Sequence, residues 1–446
     1  MSNETAQLIR AVTTITDLLR QCWGVAGAGI ISSNLARNMG GENIVVFNPI
    51  VPGKQVYALF GFAGISDYSF ILRSLEKDTM TFINDVARVL HNEVFRWGFG
   101  ESGQCNRNLG SAFLLVYRIG DFAEVAEMKA RAIDVFFQMG DGGKDQASTR
   151  SSLAVEVNKD HIQLASLPGI SRFADRALLG ILKTFAGIYR DKNIKKWEDT
   201  DYRLGGGVGA FKFEMTFGMD AGWAVEGAVG SSYKIDATYL SPHLNMASRM
   251  MMAAKQYKVA ILITQGMEEL LSSPAKKVMR HLDTVFVKGS KVPQRVYTYD
   301  ARRQGVDYFL NKRSDHTADK ESENYSETIW TKDADLRDMR SHVSPEFETV
   351  YSMGLQQYLI GNFNEALAHF MKANDIMVGN VVKDGRLESV NAVHRQLLDS
   401  TSVGEDVVAL REELGDGPCQ TLIEYIEKEN CVAPLGWNGV RKLTNK

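Results

Sequence analysis

Apolar positions recur at three- and four-residue spacing in the first 38 residues, with Leu8, Val12, Ile15 and Leu18 on one face. That period predicts a helix over residues 5–38. Asn48-Pro49 and Pro52-Gly53 then mark a turn. Val56 to Ile65 is a continuous apolar run of strand length and reads as a buried central strand. A helix is expected from about Glu76 to Trp97, and a hairpin over Asn108 to Tyr117. Residues 140–153 are polar and Gly-rich and read as an exposed loop. Ala174 to Tyr189 is amphipathic, and Lys192 to Gly209 reads as a further loop.

Phe211 to Val225 and Gly227 to Tyr233 read as a strand pair, and Leu240 to Lys258 as a helix. Three short strands follow at Ala260–Thr264, Thr284–Lys288 and Arg295–Tyr299, with short helices near Gly266–Leu271 and Ala275–His281. This order of hairpins and helices predicts an α+β fold, with helices packed on a largely antiparallel sheet. Residues 312–342 are heavily charged and poor in aliphatics, as expected of a linker or a surface-wrapping segment. Met353 to Ala373 fits one tetratricopeptide-type helical hairpin, with Gly354, Tyr358, Gly361, Phe363, Ala366, Phe370 and Ala373 at that repeat's positions. A single repeat cannot bury its own face and must dock on something. The expected divisions are a helical segment 1–53, an α+β domain 54–303, a charged linker 304–345 and a helical region 346–446.

Composition adds exclusions. The chain has 446 residues, 44% of them hydrophobic, and a formal net charge of −3. Bulk charge therefore gives no pull toward nucleic acid or an anionic membrane. The four cysteines, Cys22, Cys105, Cys419 and Cys431, are scattered without a metal-ligand or disulfide pattern. No apolar run reaches the roughly 18 residues of a transmembrane helix. No secretory signal opens the chain, so a cytoplasmic protein is expected.

Three stretches carry a family resemblance. The strongest runs from Gly227 through Thr238, Asn245 and Arg249, on through Lys255-Gln256-Tyr257 to the Val287-Lys288-Gly289-Ser290 turn. The others are Phe60-Gly-Phe-Ala-Gly-Ile65 and Asn106-Arg-Asn-Leu-Gly-Ser-Ala-Phe113. Over about residues 54–300 the chain resembles the class III adenylate and guanylate cyclases, in the branch common in unicellular eukaryotes and algae. The tail from Asp416 to Arg441 is similar to that branch too. The resemblance implies a ferredoxin-like cyclase domain, extended here by the C-terminal helices.

Such enzymes use two metal ions, about 3.5–4 Å apart, to activate the ribose hydroxyl and clamp the phosphates. The resemblance places the two metal-binding aspartates where this chain has Gly64 and Ser111. Glycine offers no ligand, and a neutral hydroxyl is a poor one for a hard cation. Asp67 is read as a turn residue rather than a replacement. No metal is therefore expected, and Mg or Mn would enter only with a partner that supplies the aspartates.

The remaining machinery is present. Asn245 and Arg249 lie four apart on one helix face, at the family's transition-state positions. Lys288 matches the lysine that meets the terminal phosphates, and Arg107 and Thr238 the two purine-reading positions. Arg at the first fits adenine better than guanine. The Gly205–Gly209 run lacks the Lys-Ser/Thr of a phosphate loop and reads as a flexible loop. Met250, Met251 and Met252 read as packing residues, and His243 as a helix-start residue without a metal-ligand companion.

Class III active sites form between two domains. One gives the aspartates, the other the Asn, Arg and Lys. Three functions follow as expectations. The first is a catalytically dead scaffold in a protein assembly, such as an axonemal or membrane-associated complex. The second is the metal-free half of a heterodimeric cyclase that completes a partner's ATP or GTP site. The third is a nucleotide sensor without turnover.

Overall fold

The computed structural model describes residues 52–98, 102–139, 163–205, 211–231, 234–287, 292–301, 314–384 and 412–443, together with 5–7, 9–15 and 17–18. The strands are β1 (Lys54–Ile65), β2 (Gly103–Asn108), β3 (Ala112–Asp121), β4 (Met215–Gly230), β5 (Ile235–Leu240), β6 (Ile261–Thr264), β7 (Met279–Phe286), β8 (Gln294–Tyr299) and β9 (Arg441–Lys442). The main helices of the first half are α1 (Tyr68–Leu75), α2 (Thr79–Trp97), α3 (Phe122–Met139), α4 (Ile170–Arg190), α5 (Lys192–Thr200) and α6 (Pro242–Gln256). Those of the second half are α7 (Asp315–Glu323), α8 (Ala334–Met339), α9 (Pro345–Ile360), α10 (Phe363–Asp384) and α11 (Gly417–Lys428).

One nine-stranded sheet runs β2-β3-β1-β4-β6-β8-β7-β9, and β5 pairs with β4 beside this path. The β4–β6 and β7–β9 pairs are parallel and the others antiparallel. This is the α+β class with a mainly antiparallel sheet. The apolar run Val56–Ile65 is β1, held between β3 and β4.

Side chains alternate across β1, so its two faces enter different cores. Tyr57, Leu59, Ala63 and Ile65 pack under α2 and α4. Val56, Ala58, Phe60 and Phe62 join Ala112, Leu114 and Val116 of β3, Tyr239 of β5, and Ala247 and Met251 of α6. Helix α6 lies flush on β4. A Cβ at Gly218 would run into the Met251 amide nitrogen and the Ala247 carbonyl.

The other side of α6 faces a third core. Met250, Ala253, Ala254 and Tyr257 meet Phe347, Tyr351 and Tyr358 of α9, Phe370 of α10 and Leu422 of α11. The C-terminal helices thus pack as a layer on the helix that carries Asn245 and Arg249. Helices α9 and α10 form an antiparallel hairpin turned by Gly361, at φ 92°. Gly354 lets them approach, since a Cβ there would lie 3.0 Å from the Phe370 ring.

The charged stretch before these helices packs along α2 and α4, with most of its charges exposed but the carboxylates of Asp333 and Asp335 turned inward. Lys183 of α4 is buried and donates to Asp333 Oδ2 (2.7 Å) and Asp335 Oδ2 (2.9 Å). Asp175, also on α4, is fully buried. It accepts from Tyr325 (2.5 Å), Trp330 (2.8 Å) and the Ser272 amide (2.9 Å).

Three local readings shift. Residues 192–200 are a helix, capped by Asp191, rather than loop. Strand β4 continues to Gly230, and the turn into β5 is closed by Ser231 N donating to Lys234 O at 2.8 Å. Strand β7 starts at Met279, where a helix end was expected. The loop 140–153, most of the Gly205–Gly209 run and Lys288 lie outside the described residues.

Candidate functional site

Gly64 and Ser111 are neighbours. Gly64 pairs with Ala112 across β1–β3, and the Ile65 amide donates to the Ser111 carbonyl at 2.8 Å. The hairpin reaches this position through Gly110, at φ 76°. The two backbone sites at which the resemblance expects carboxylates are therefore side by side.

Their side chains do not suit a divalent cation. Ser111 is exposed and neutral. A Cβ at Gly64 would lie 2.6 Å from Met251 Sδ, 3.3 Å from its Cε and 3.4 Å from its Cγ. The space beside Gly64 is thus filled by a thioether, a soft group that a hard cation disfavours. Opposite Gly64 on β4 stands Thr216, buried, its hydroxyl without a hydrogen-bond partner among the described residues. Those residues contain no group of three or more His, Cys, Asp or Glu side chains that could hold a metal ion. The residues present do not fit Mg or Mn. Asp67 is exposed at the start of α1, at φ 50°, with no capping bond from its side chain.

Helix α6 presents Asn245 and Arg249. Pro242 opens the helix, and the Ser241 hydroxyl caps it by accepting from the His243 (3.0 Å) and Leu244 (3.4 Å) amides. Asn245 is exposed and Arg249 half-buried. Neither side chain has a hydrogen-bond or ion-pair partner among the described residues. His243 is more than a helix start. Its Nδ1 lies 2.9 Å from Asp220 Oδ2, and Asp220 Oδ1 accepts from the Thr264 hydroxyl at 2.5 Å. This buried carboxylate pins the first turn of α6 to β4.

Arg107 and Thr238 also converge. Arg107, on β2, sends Nη2 to the carbonyl of Ala237 at 3.2 Å, one residue before Thr238 on β5. Strand β5 pairs antiparallel with the end of β4. There Tyr239 meets Phe60 edge-on at 6.2 Å and donates to Glu226 at 2.6 Å. Burial, with Glu226 beside it, pushes the Tyr239 hydroxyl far above its ordinary range. Ala237 and Leu244 pack on the same apolar cluster, which links β5 to α6. No hydrogen bond or ion pair among the described residues links Asn245 or Arg249 to Arg107 or Thr238.

On β2, Cys105 sits beside Asn108, whose Oδ1 accepts the thiol hydrogen at 3.3 Å. Burial pushes this thiol up to about 12, so it stays protonated at neutral pH. Sequence reasoning missed Met251 as the residue at Gly64, the orphan Thr216 and the Asp220–His243 pair. Only the Met250–Met252 run signalled one of them.

Comparison with known proteins finds similarity to adenylate cyclases. The chain is 32% identical to an adenylate cyclase of Anabaena cylindrica over 117 residues, 26% of this chain and 23% of that one. It is 34% identical to the terminal-differentiation specific adenylate cyclase of Dictyostelium discoideum over 94 residues, 20% of this chain and 4% of that one. The chain thus spans under a quarter of either relative. Among solved structures, a bacterial light-regulated adenylyl cyclase superposes with a TM-score of 0.42 at 15% identity, over 68% of this chain and 66% of that one. The adenylyl cyclase CyaB from P. aeruginosa gives 0.34 at 16%, over 59% and 99%. A family model described as the all-helical domain of RasGEFs matches residues 1–36.

Over the segments matched to those two relatives the chain is similar in sequence to adenylate cyclases. Its fold is α+β, a mainly antiparallel sheet with packed helices. No described helix is long and apolar enough to cross a membrane.

Proposed function

We propose that this chain is a catalytically silent class III cyclase homologue that acts by associating with other proteins. The observation that carries this reading is at Gly64. Where the family places a metal-binding carboxylate, the chain has a glycine overlaid by the Met251 thioether. The adjoining Ser111 contributes only a hydroxyl. Two-metal activation of a ribose hydroxyl requires hard oxygen ligands at these positions.

The C-terminal helical layer supports the association role. The α9–α10 hairpin and the inward-paired strap 314–343 belong to the body of the molecule, so they offer rigid surfaces rather than loose arms. Such a subunit suits a large assembly, cytoskeletal or membrane-associated. A cyclase assay on the purified chain and a native pulldown test the reading together. No cyclic nucleotide and recovery of structural proteins support it. Product from the chain alone contradicts it.

A second reading rests on Asn245 and Arg249. Both are presented by a firmly seated helix, and neither is engaged by the rest of the described chain. A half-buried guanidinium without an ion-pair partner among the described residues suits charge stabilisation on a nucleotide's α-phosphate. In this reading the chain lends Asn245, Arg249 and Lys288 to a cyclase-domain partner. Arg107 and Thr238 read ATP or GTP, and the partner's aspartates hold Mg or Mn. Activity that appears only on mixing, and disappears with Arg249→Ala, selects this reading.

A further inference from the structure

Resting on the silent-homologue reading, we infer that Met251 is a plug. It closes the carboxylate position on β1, so two restored aspartates do not by themselves rebuild a metal site. Two independent observations converge on the same point. The first is steric. Met251 occupies the space of a Gly64 side chain through Sδ, Cε and Cγ, and because α6 lies directly on Gly218 only a rotation of the thioether, not a shift of its backbone, can clear that space. The second is polar. The buried Thr216 hydroxyl, paired across the strands from Gly64, has no hydrogen-bond partner among the described residues. An oxygen-lined position has become a thioether-filled one, with one hydroxyl left over.

The plug also explains why α6 keeps its place without a ligand. Met251 joins the apolar cluster under β5, and its neighbour Met250 faces the C-terminal layer. The helix that displays Asn245 and Arg249 is thus wedged from both sides. Silence and the retained helix geometry have one cause.

The test is a double-mutant cycle with a metal-binding arm. Gly64→Ala lowers the melting temperature by about 4 °C in the parent chain and by under about 1 °C in the Met251→Ala background. Mn2+ binding is then followed by electron paramagnetic resonance. Gly64→Asp/Ser111→Asp/Met251→Ala binds Mn2+ at least about tenfold more tightly than Gly64→Asp/Ser111→Asp, a ratio worth about 1.4 kcal/mol. Equal melting shifts in the two backgrounds, or equal Mn2+ affinity with and without Met251, overturn the plug. Metal-dependent product from the unmutated chain would contradict the silent reading and leave the Gly64–Met251 coupling measurable.

Discussion

Arg441 on β9 donates its Nε to Asp283 Oδ2 on β7 at 2.9 Å and its Nη2 to the Tyr257 hydroxyl at 2.7 Å. Tyr257 in turn donates to the same carboxylate oxygen at 2.7 Å. Asp283 is fully buried. Residue 441 therefore closes the sheet edge and reaches the end of α6. Arg441→Met leaves a buried carboxylate without its cation and should cost about 3–5 kcal/mol. Urea unfolding followed by circular dichroism checks it. A change under about 1 kcal/mol would show that the tail is dispensable.

Acid should loosen the C-terminal layer and the strap together. Burial raises the Asp335 carboxyl, but the charges of Lys183 and Arg190 outweigh it and hold it below the ordinary aspartate range. Arg280 does the same for buried Asp416. Both groups titrate lower folded than unfolded. Their contribution is complete above the ordinary aspartate value, near pH 4, and falls away as pH drops through the folded values. Thermal melts between pH 7 and pH 3 should show this acid loss. Asp335→Asn should lower stability at pH 7 and flatten the acid limb.

Thr216→Val replaces an unpartnered buried hydroxyl with a methyl of similar shape. The change should be neutral or stabilising by up to about 1 kcal/mol, since no hydrogen bond is lost. A large destabilisation would reveal a partner for Thr216 in solution.

Arg249→Ala should leave the fold intact, because Arg249 is half-buried and makes no ion pair among the described residues. The melting temperature should move by less than about 2 °C. If the half-site reading holds, the same change removes about 10²-fold or more of the activity of a mixed pair. Unchanged activity in an active mixture would exclude that role.

Much of the fold was legible from the sequence. The uninterrupted run Val56–Ile65 reads as a buried central strand and is β1, and the helix expected over Leu240 to Lys258 is α6. The strap was harder to read, because Lys183 lies in an apolar helix and Asp333 and Asp335 in a charged stretch 150 residues away. Composition registers their charge but not that they meet. Helix α5 was hidden because its residues are mostly polar and its stability comes from the Asp191 cap and the burial of Ile194. The motifs singled out Gly64, Ser111, Arg107 and Thr238, and the structure sets Gly64 beside Ser111 and Arg107 against the Ala237 carbonyl. The plug did not, since nothing in Met250-Met251-Met252 says which sulfur faces Gly64.

The most direct measurement is a cyclase assay on the purified chain with ATP and with GTP, each with Mg2+ and with Mn2+. No cyclic nucleotide above a no-protein control is expected in any of the four conditions. Metal-dependent product that scales with the amount of this chain would contradict it, and would mean that ligands other than residues 64 and 111 hold the metal.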